Sequence, residues 1–342
     1  MGDNVDWKRA LAPYAQPRVS SAMRDLATAV VPYLALCVAM YLTIDVSIWL
    51  TLALSIPTAG FLLRTFIVFH DCGHGSFLPS KTANRWVGRF CALLVWQPFA
   101  NWRHDHAVHH GTAGDLDRRG QGDVPTLTVD EYYERPWQAR LGYRLFRNPL
   151  VMFGLGPIWS LMVGPRLSSL DKRKRLRNSI TLTNLTLAAL ITLFVVLLGW
   201  KAFLLVEILP ALLAGVAGVW MFYVQHQFED VYWESSERWS YADAALQGSS
   251  YLKLPQPLQF FTGNIGLHHV HHLDAKIPNY NLQRAHDENE IFHDVPVLTL
   301  RDSFSCVRLK LIDTDHGRLV TWAEAREIAH RSPRGVPVTA EA

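Results

Sequence analysis

The chain has 342 residues, of which 49% are apolar and 18% are charged. Ordinary soluble domains carry about 25% charged residues, so this is not the composition of a typical soluble domain. The net charge of +3 says little about partners until it is mapped along the chain. The four cysteines have no C-x-x-C spacing, which argues against a disulfide framework or a cysteine zinc site. The polar first 25 residues do not predict a cleavable signal peptide.

Four apolar runs of membrane-spanning length occur in two pairs. The first pair is 27–44 and 46–63, separated by Asp45, and the second is 180–199 and 202–224. Each run is close to the roughly 20 residues that a helix needs to cross the hydrocarbon core. Because very short turns join the members of each pair, the sequence predicts two transmembrane hairpins. The alternative is a set of buried core helices.

Positive charge is concentrated between the two pairs of runs. Thirteen Lys and Arg residues lie between positions 103 and 177, including the cluster 172–175, whereas the two predicted turns carry one. The positive-inside rule then places both termini and the middle segment in the cytoplasm. Contact with anionic lipid explains the basic cluster more simply than a nucleic-acid partner does.

Two shorter apolar stretches, 87–99 and 149–163, lie in the middle segment. They are too short to span a bilayer, so they predict interfacial or re-entrant helices. Nearby tryptophans are interpreted as anchors at the level of the lipid headgroups, with contact to a substrate as the alternative. They are Trp96, Trp102 and Trp159.

Histidine is unevenly distributed, since eleven of the fifteen lie in four short polar segments near predicted membrane faces. The segments are His70-Asp-Cys-Gly-His74, His104-Asp-His106-Ala-Val-His109-His110, Gln225-His226-Gln227 and His268-His269-Val-His271-His272. Residues four apart share one face of a helix, so we expect His70 and His74 to act together on a helix that continues out of the membrane. The i, i+3, i+4 spacing likewise predicts that three rings of each longer motif converge on one side.

A metal site must be weighed against chance for each motif. A lone histidine is most often a surface or loop residue, so no role is assigned to His286, His293, His316 or His330. A single H-x-x-x-H motif also arises often by chance. Two H-x-x-H-H motifs and one H-x-x-x-H motif on the same side of four spans indicate a metal site instead, because metals bind neutral imidazole.

The number of histidines predicts two metal ions. Eight or nine imidazoles are about twice the three or four protein ligands of a tetrahedral zinc site. Imidazole binds zinc, copper, nickel and iron, so the ligand type leaves the metal open. His70 is followed by Asp71 and position 73 is Gly, so the H-E-x-x-H signature of zinc proteases is absent.

These motifs resemble the three histidine boxes of the membrane fatty acid desaturases, a family of integral membrane di-iron enzymes. The likeness runs from about residue 66 to 288, and it is closest to the acyl-lipid branch in the acidic stretch 114–125 and in Ile277-Pro-Asn-Tyr-Asn-Leu282. His226 resembles an additional histidine site of the family. The resemblance implies nine iron ligands: His70, His74, His106, His109, His110, His226, His268, His271 and His272.

The same resemblance suggests roles beside the ligands. His104 and His269 stand next to the boxes but off the ligand positions, so we expect them to neighbour the ligands or the substrate. Asp71 and Asp105 are expected to accept hydrogen bonds from ligand N–H groups and so to fix ring orientation. Asn264, four residues before the third box, is a candidate to hold a metal-bound water.

The activity that the resemblance implies is the oxidation of an acyl chain. Two iron ions, O2 and two external electrons would remove two hydrogens from adjacent methylenes, which side chains alone cannot do. An acyl chain of a membrane lipid is the favoured substrate, in a bacterial cytoplasmic membrane. A hydroxylase or ketolase of the same superfamily, with an acyl, sterol, alkane or carotenoid substrate, is the nearest alternative. A metal transporter is more remote, because the predicted spans contain almost no ionisable residues.

The electron donor is expected to be a separate protein, either ferredoxin-like or cytochrome b5-like. The chain has neither the H-P-G-G motif of a fused cytochrome b5 nor the G-x-G-x-x-G fingerprint of a dinucleotide site. The basic middle segment is predicted to be the docking face for such an acidic partner.

The sequence thus predicts an all-α integral membrane protein with four transmembrane helices in two hairpins and a cytoplasmic helical cap that carries the boxes. The predicted segments are a cytoplasmic N-terminal segment 1–26, a first hairpin 27–69, a segment 70–178 with boxes 1 and 2, a second hairpin 179–225, and a cytoplasmic segment 226–342 with the additional histidine and box 3. Near the end, 298–311 is predicted to form a helix that packs on the cap, and 331–342 a frayed tail.

Overall fold

The computed structural model describes residues 7–120, 122–167 and 173–331, and within them the chain is mainly helical. The α-helices are α1 (Trp7–Leu11), α2 (Val19–Thr43), α3 (Ile48–His74), α4 (Lys81–Leu94), α5 (Phe99–Thr112), α6 (Val129–Glu134), α7 (Trp137–Phe146), α8 (Lys174–Leu198), α9 (Trp200–Ala202), α10 (Leu209–His226), α11 (Tyr241–Gln247), α12 (Gln256–Phe261), α13 (His268–Leu273), α14 (Asn279–Asp287), α15 (Leu300–Cys306) and α16 (Trp322–Arg331). The strands are β1 (Tyr251–Lys253), β2 (Val297–Thr299), β3 (Leu311–Asp313) and β4 (Arg318–Val320).

Four helices in the described residues are long and apolar enough to cross a membrane. They are α2, α3, α8 and the continuous run Trp200–His226, and their mean hydropathy lies between 1.8 and 2.2. The last run comprises α9, a π-helical turn and α10. This confirms the prediction of four helices of spanning length.

The first two spanning helices extend beyond the predicted apolar runs, toward the histidines. α2 begins at Val19 rather than at residue 27, and α3 continues past residue 63 to His74. The Ser47 hydroxyl accepts a hydrogen bond from the Leu50 N–H at the start of α3, and Gly75 ends the helix with a left-handed φ of 73°. The added turns of α3 carry the first histidine motif, as its helical spacing predicted.

The turns that join the spanning helices lie together at the end of the molecule away from the histidines. The ammonium nitrogen of Lys201, in the second turn, is 3.2 Å from a carboxylate oxygen of Asp45, in the first. α3 is the central span, because it packs along both α2 and α10. Pro210 at the start of α10 follows a π-helical turn, since proline cannot donate to the preceding turn and its ring crowds that backbone.

Two small sheets make the all-α prediction incomplete. β1 pairs in parallel with β2, and β3 pairs antiparallel with β4. Each strand has three residues. Such short strands give no recognisable alternation of apolar and polar residues, so the sequence carried no signal for them.

The two stretches predicted to be interfacial are helical but differ in form. The stretch 87–99 is split between the end of α4, a turn and the start of α5. α4 is amphipathic, with Trp86 and Phe90 exposed and Cys91 buried. The stretch 149–163 is helical throughout and contains two π-helical turns.

Gly88 is where α4 approaches the rest of the core most closely. A Cβ at this position would lie 2.3 Å from a ring carbon of Phe99 and 2.9 Å from the Cβ of Cys72. We therefore expect Gly88→Ala to lower the free energy of unfolding by about 1–3 kcal/mol, because overpacking forces these buried groups apart. Thermal unfolding in detergent measures this.

The matched control for that prediction is Gly142→Ala on the exposed side of α7, where a Cβ meets nothing within 4 Å. Alanine there should leave stability unchanged or raise it by up to about 1 kcal/mol, as in any exposed helix. Equal effects of the two substitutions would contradict the close packing at Gly88.

A buried arginine joins the C-terminal part of the chain to the end of α10. Arg147 is only 1% exposed, and its guanidinium donates to the Gln227 side-chain oxygen at 2.8 Å, the Leu309 carbonyl at 3.1 Å and the Tyr223 hydroxyl at 3.2 Å. These three partners are uncharged, as are the Pro125 carbonyl and the Thr126 hydroxyl, to which the guanidinium also donates at 3.4 Å and 3.3 Å. Two of them flank His226 in sequence, so Arg147 fixes the backbone that presents this histidine.

Lys310 lies beside this arginine, and its ammonium donates to the Arg147 carbonyl at 2.8 Å. Burial, with a smaller contribution from the Arg147 charge, lowers the pKa of Lys310 from 10.5 to about 8. Between these two pH values the unfolded chain binds more protons than the folded chain. The contribution of Lys310 to stability is therefore lost as pH falls through about 8 and fully present above 10.5.

This predicts that raising the pH from 8 to 10.5 stabilises the wild type relative to Lys310→Met by about 1–3 kcal/mol. Thermal unfolding of both proteins across that range measures the difference, and the variant serves as the control for other groups that titrate there. A difference that stays constant with pH would contradict a buried, partly desolvated amine.

Of the two C-terminal predictions, the structure contradicts the first and leaves most of the second untested. The stretch 298–311, predicted as one helix, contains the end of β2, then α15, and reaches β3 only at its last residue. Of the predicted tail 331–342, all but Arg331 lies outside the described residues, and Arg331 is the last residue of α16.

Candidate metal centre

Nine histidines from separate parts of the chain meet in two compact groups. Group one is His70, His74, His106, His110 and His271, and group two is His109, His226, His268 and His272. Within each group, one ring nitrogen of every member lies within 4.8 Å of those of all the others. The structure therefore brings together all nine histidines that the resemblance singled out.

Group one is built from α3, α5 and α13. The Nε2 atom of His106 lies 3.0 Å from that of His70 and 3.2 Å from that of His110. The Nε2 atom of His110 is also 3.0 Å from that of His271. His74 and His106 are the partly exposed members of this group.

Group two is built from α5, α10 and α13, and all its members are buried. The Nε2 atom of His268 lies 2.9 Å from that of His226 and 3.2 Å from that of His272. The rings of His272 and His110 stack with their centroids 4.2 Å apart. The two groups are therefore direct neighbours.

Each H-x-x-H-H motif is divided between the two groups, which corrects the prediction that its three rings converge on one side. His106 and His110 belong to group one, while His109, between them on α5, belongs to group two. On α13 the motif is divided in the opposite sense, with only His271 in group one. Successive residues point about 100° apart around a helix, so neighbours such as 109 and 110 face different sites.

Several ring orientations are fixed by acceptors at Nδ1, which leaves Nε2 to face its group. Nδ1 of His70 is 3.0 Å from a carboxylate oxygen of Asp71, and Nδ1 of His226 is 3.0 Å from the Gly248 carbonyl. Nδ1 of His109 contacts the Asp123 carboxylate. Asp71 was predicted in this position, whereas the other two partners were missed because they follow in loops with no periodic relation to the histidines.

Five of the grouped histidines on α5 and α13 have lowered pKa values. Burial is the main cause, and repulsion from neighbouring imidazoles adds to it. The pKa lies well below its usual value for His106, His110, His268, His271 and His272. These rings are therefore neutral at physiological pH, which is the form that binds metal.

The nitrogen positions fit metal ions. Two nitrogens bound at about 2.1 Å and at right angles around one ion lie about 3.0 Å apart, close to the separations in both groups. Within the described chain, Nε2 of His74 and of His109 is buried with no hydrogen-bond partner, as expected of atoms that face an ion. Five imidazoles also exceed the three or four protein ligands of a tetrahedral zinc site, so group one suits a metal with a larger shell.

Trp102 forms part of this centre rather than a headgroup anchor. Its ring stacks on the His106 ring with centroids 4.4 Å apart, and it packs against Phe69 at 4.6 Å. Of the other two tryptophans predicted as anchors, Trp159 is 59% exposed and Trp96 stacks on Phe203. The membrane-anchor prediction for Trp102 was wrong because its position on α5, one turn before His106, points it at the site.

The remaining predicted neighbours lie outside the two groups. His104 is exposed and pairs with Asp105 at 3.2 Å. His269 is buried, with Nε2 3.1 Å from Nδ1 of His286, a residue to which the sequence assigned no role. Asn264 donates its side-chain amide to the Asn279 carbonyl at 3.1 Å.

Four apolar helices and two adjacent histidine groups that could hold metal ions describe a membrane metalloprotein. Comparison with known proteins narrows this class. The family model described as fatty acid desaturase matches residues 47–297. A fatty acid desaturase of Bacillus subtilis is 43% identical over 329 residues, covering 96% of this chain and 94% of the relative.

Two cyanobacterial proteins extend the comparison. An sn-1 oleoyl-lipid 12-desaturase of Synechocystis is 30% identical over 67% of this chain and 65% of its own length. An sn-1 acyl-lipid omega-3 desaturase (ferredoxin) of the same organism is 27% identical over 64% of this chain and 62% of its own length. The chain belongs to the fatty acid desaturase family and is an oxygen-dependent oxidoreductase. This family membership makes the chain an enzyme and argues against the alternative of a metal transporter.

Proposed function

We propose that the protein introduces a double bond into an acyl chain of a membrane lipid. The names of the two cyanobacterial relatives support a lipid-linked substrate over a free or carrier-linked acid. The four apolar helices support a substrate that is reached from within the bilayer.

The nine histidines hold two iron ions in this proposal, five ligands on one and four on the other. The observation that carries it is the pair of adjacent groups, each with its ring nitrogens within 4.8 Å of one another. Imidazole suits iron, and a five-histidine group argues against a tetrahedral zinc site. When bound, iron with O2, two electrons and two protons would supply the oxidation that turns two adjacent methylenes into a double bond, with O2 leaving as two waters.

The protein contributes orientation and a dry environment. Asp71, Asp123 and the Gly248 carbonyl hold three of the rings, so their nitrogens keep one direction in the absence or presence of metal. Trp102 covers the His106 ring on one face. All four members of group two are buried, which keeps bulk water away from the reacting chain.

The proposed topology has two membrane hairpins and a cytoplasmic cap that carries the histidines, with both termini in the cytoplasm. The contact between Asp45 and Lys201 supports it, because it puts both turns at the end opposite the histidines. The thirteen Lys and Arg residues between positions 103 and 177 support the cytoplasmic side for the cap.

A separate electron donor is part of the proposal, and the word ferredoxin in the name of the Synechocystis omega-3 desaturase supports that class. Arg173 and Arg175 are exposed at the start of α8, and α8 packs against α5, where the Ala100 N–H donates to the Ser179 hydroxyl at 3.2 Å. α5 carries two ligands of group one, the group with partly exposed members. An acidic donor on this side would therefore face group one first.

Neutralising this docking site gives a test. The double substitution Arg173→Gln/Arg175→Gln should slow reduction of the iron by a [2Fe–2S] ferredoxin about tenfold at low salt and much less at high salt, because salt screens the attraction. Stopped-flow absorbance measures the rate. Arg301→Gln, at an exposed arginine on α15, is the control and should have no effect. An unchanged salt dependence in the double variant would contradict docking at this site.

The function itself is tested by expression in a bacterial host that lacks desaturases. We expect new double bonds in the acyl chains of extracted phospholipids and two iron atoms in each purified chain. Hydroxylated or ketolated products would favour another member of the superfamily and refute desaturation. An iron content near zero, with another metal in its place, would refute the di-iron assignment.

A further inference from the structure

A buried ion pair lies between α2 and α3 on the histidine side of the spanning helices. Asp25 is 5% exposed and Arg64 is 9% exposed, and their side chains contact each other directly. The Arg64 guanidinium also donates to the Phe260 carbonyl and lies 4.2 Å from the centre of the Phe260 ring. Placing ionisable side chains in a membrane-spanning helix costs free energy, so such residues usually have a function.

The pair is connected to His70 through a short series of hydrogen bonds. The second carboxylate oxygen of Asp25 accepts from the side-chain amide of Asn279 at 2.9 Å. The backbone N–H of Asn279 donates to one oxygen of Asp71 at 2.7 Å, and the other oxygen is 3.0 Å from Nδ1 of His70. These residues are all buried.

Asn279, the first residue of α14, links the two ends of this series because it forms hydrogen bonds with three different residues. Its side chain is fixed by Asp25, its N–H by Asp71, and its carbonyl accepts from the Asn264 side chain at 3.1 Å. An N–H in the first turn of a helix has no partner within the helix, so Asp71 satisfies it from outside. A shift of α14 would therefore move the carboxylate that orients His70.

Stability alone does not account for the pair. Replacing a buried ion pair by apolar side chains of similar size is often neutral or stabilising, whereas removing one partner leaves an uncompensated charge. α2 and α3 already pack along their length through apolar residues. What an apolar replacement could not provide is an acceptor for the Asn279 amide.

We propose that Asp25 and Arg64 are positioning residues for the metal centre, which act through Asn279 and Asp71 to hold the ring of His70 toward group one. Arg64 holds the carboxylate of Asp25 in place, and Asp25 in turn holds the side-chain amide of Asn279. This positioning role rests on the proposed function in one respect, which is that His70 binds a metal ion. Loss of the partner of a metal-binding histidine costs about 10–100-fold in metal affinity, which sets the scale for a residue one step further out.

The test replaces the pair without leaving a single buried charge. In Asp25→Leu/Arg64→Leu the purified iron-loaded protein should lose iron to a chelator about tenfold faster than the wild type, while thermal unfolding of the metal-free protein stays within a few degrees. Asn279→Ala, which keeps the backbone N–H but removes the link to Asp25, should show the same faster release. Asp25→Glu, which retains a carboxylate, should release iron at a rate within about threefold of the wild-type rate.

Glu207→Leu is the matched control. Glu207 is a second carboxylate within a spanning run, and its contact is with the Tyr33 hydroxyl at 3.5 Å, away from the histidines. This variant should release iron at the wild-type rate. Wild-type release rates in both the double variant and Asn279→Ala would overturn the positioning role and leave the pair purely structural. A wild type that binds no iron at all would refute the metal assignment first, an outcome separate from any difference between variants.

Discussion

Replacing His271 with alanine is expected to abolish double-bond formation and to deplete the metal of group one. His271 contributes a ring nitrogen 3.0 Å from that of His110, so its loss opens the group from the side of α13. Removing even an outer partner of a ligand costs about 10–100-fold in metal affinity or activity, so loss of a ligand should lower activity by at least about a hundredfold. Product analysis of host lipids and iron per chain measure both effects.

His268→Ala should have an effect of the same size through group two, because the Nε2 atom of His268 lies 2.9 Å and 3.2 Å from those of two other members. The control is His104→Ala, an exposed histidine that neighbours the second motif without joining either group. It should retain wild-type activity and iron. If the two group members could be replaced without loss of iron, the assignment of the groups as metal ligands would fail.

Arg147→Met is expected to lower the free energy of unfolding by about 3 kcal/mol or more. The substitution removes three hydrogen bonds that a buried charged group donates, to Tyr223, Gln227 and Leu309, and a hydrogen bond to a charged group contributes about 1.5–3 kcal/mol. Methionine is unbranched and flexible enough to fill most of the space, so the loss reports mainly on the hydrogen bonds. Chemical or thermal unfolding in detergent measures it.

Arg147→Lys should recover little of this loss, because one ammonium cannot reproduce the planar set of donors that reaches three partners at once. Arg135→Met, at an exposed arginine nearby in sequence, is the control and should change stability by less than about 0.5 kcal/mol. A loss at Arg147 as small as this would show that the contacts at the end of α10 contribute nothing to stability.

Much of the candidate site follows from local spacing in the sequence. His70 and His74 are four residues apart on α3, and His106 and His110 are four apart on α5, so each pair shares a face and a group. The four helices of spanning length were equally predictable, because each apolar run is about as long as a helix needs to be to cross the hydrocarbon core. The contact between Asp71 and His70 was predicted from the family resemblance rather than from helical spacing.

What sequence reasoning missed depends on contacts between distant segments. Helix geometry turns His109 and His110 about 100° apart, but the positions of α10 and α13 decide which group each of them joins. Asp123 reaches His109 from a loop, and Asp25 reaches Asn279 across 254 positions. The extension of α2 to Val19 also brought Asp25 into a helix that the apolar run alone would have started later.

The sharing of α5 and α13 between the two groups has a consequence for how the enzyme is assembled. In the proposed two-metal form, each of these helices supplies ligands to both groups, so the first ion would restrain the same two helices that carry ligands of the second. The second ion would then bind without repeating the entropic cost of that restraint, which would amount to positive cooperativity between the two sites. The protein should therefore pass between a metal-free and a fully loaded form, with little of it carrying a single ion.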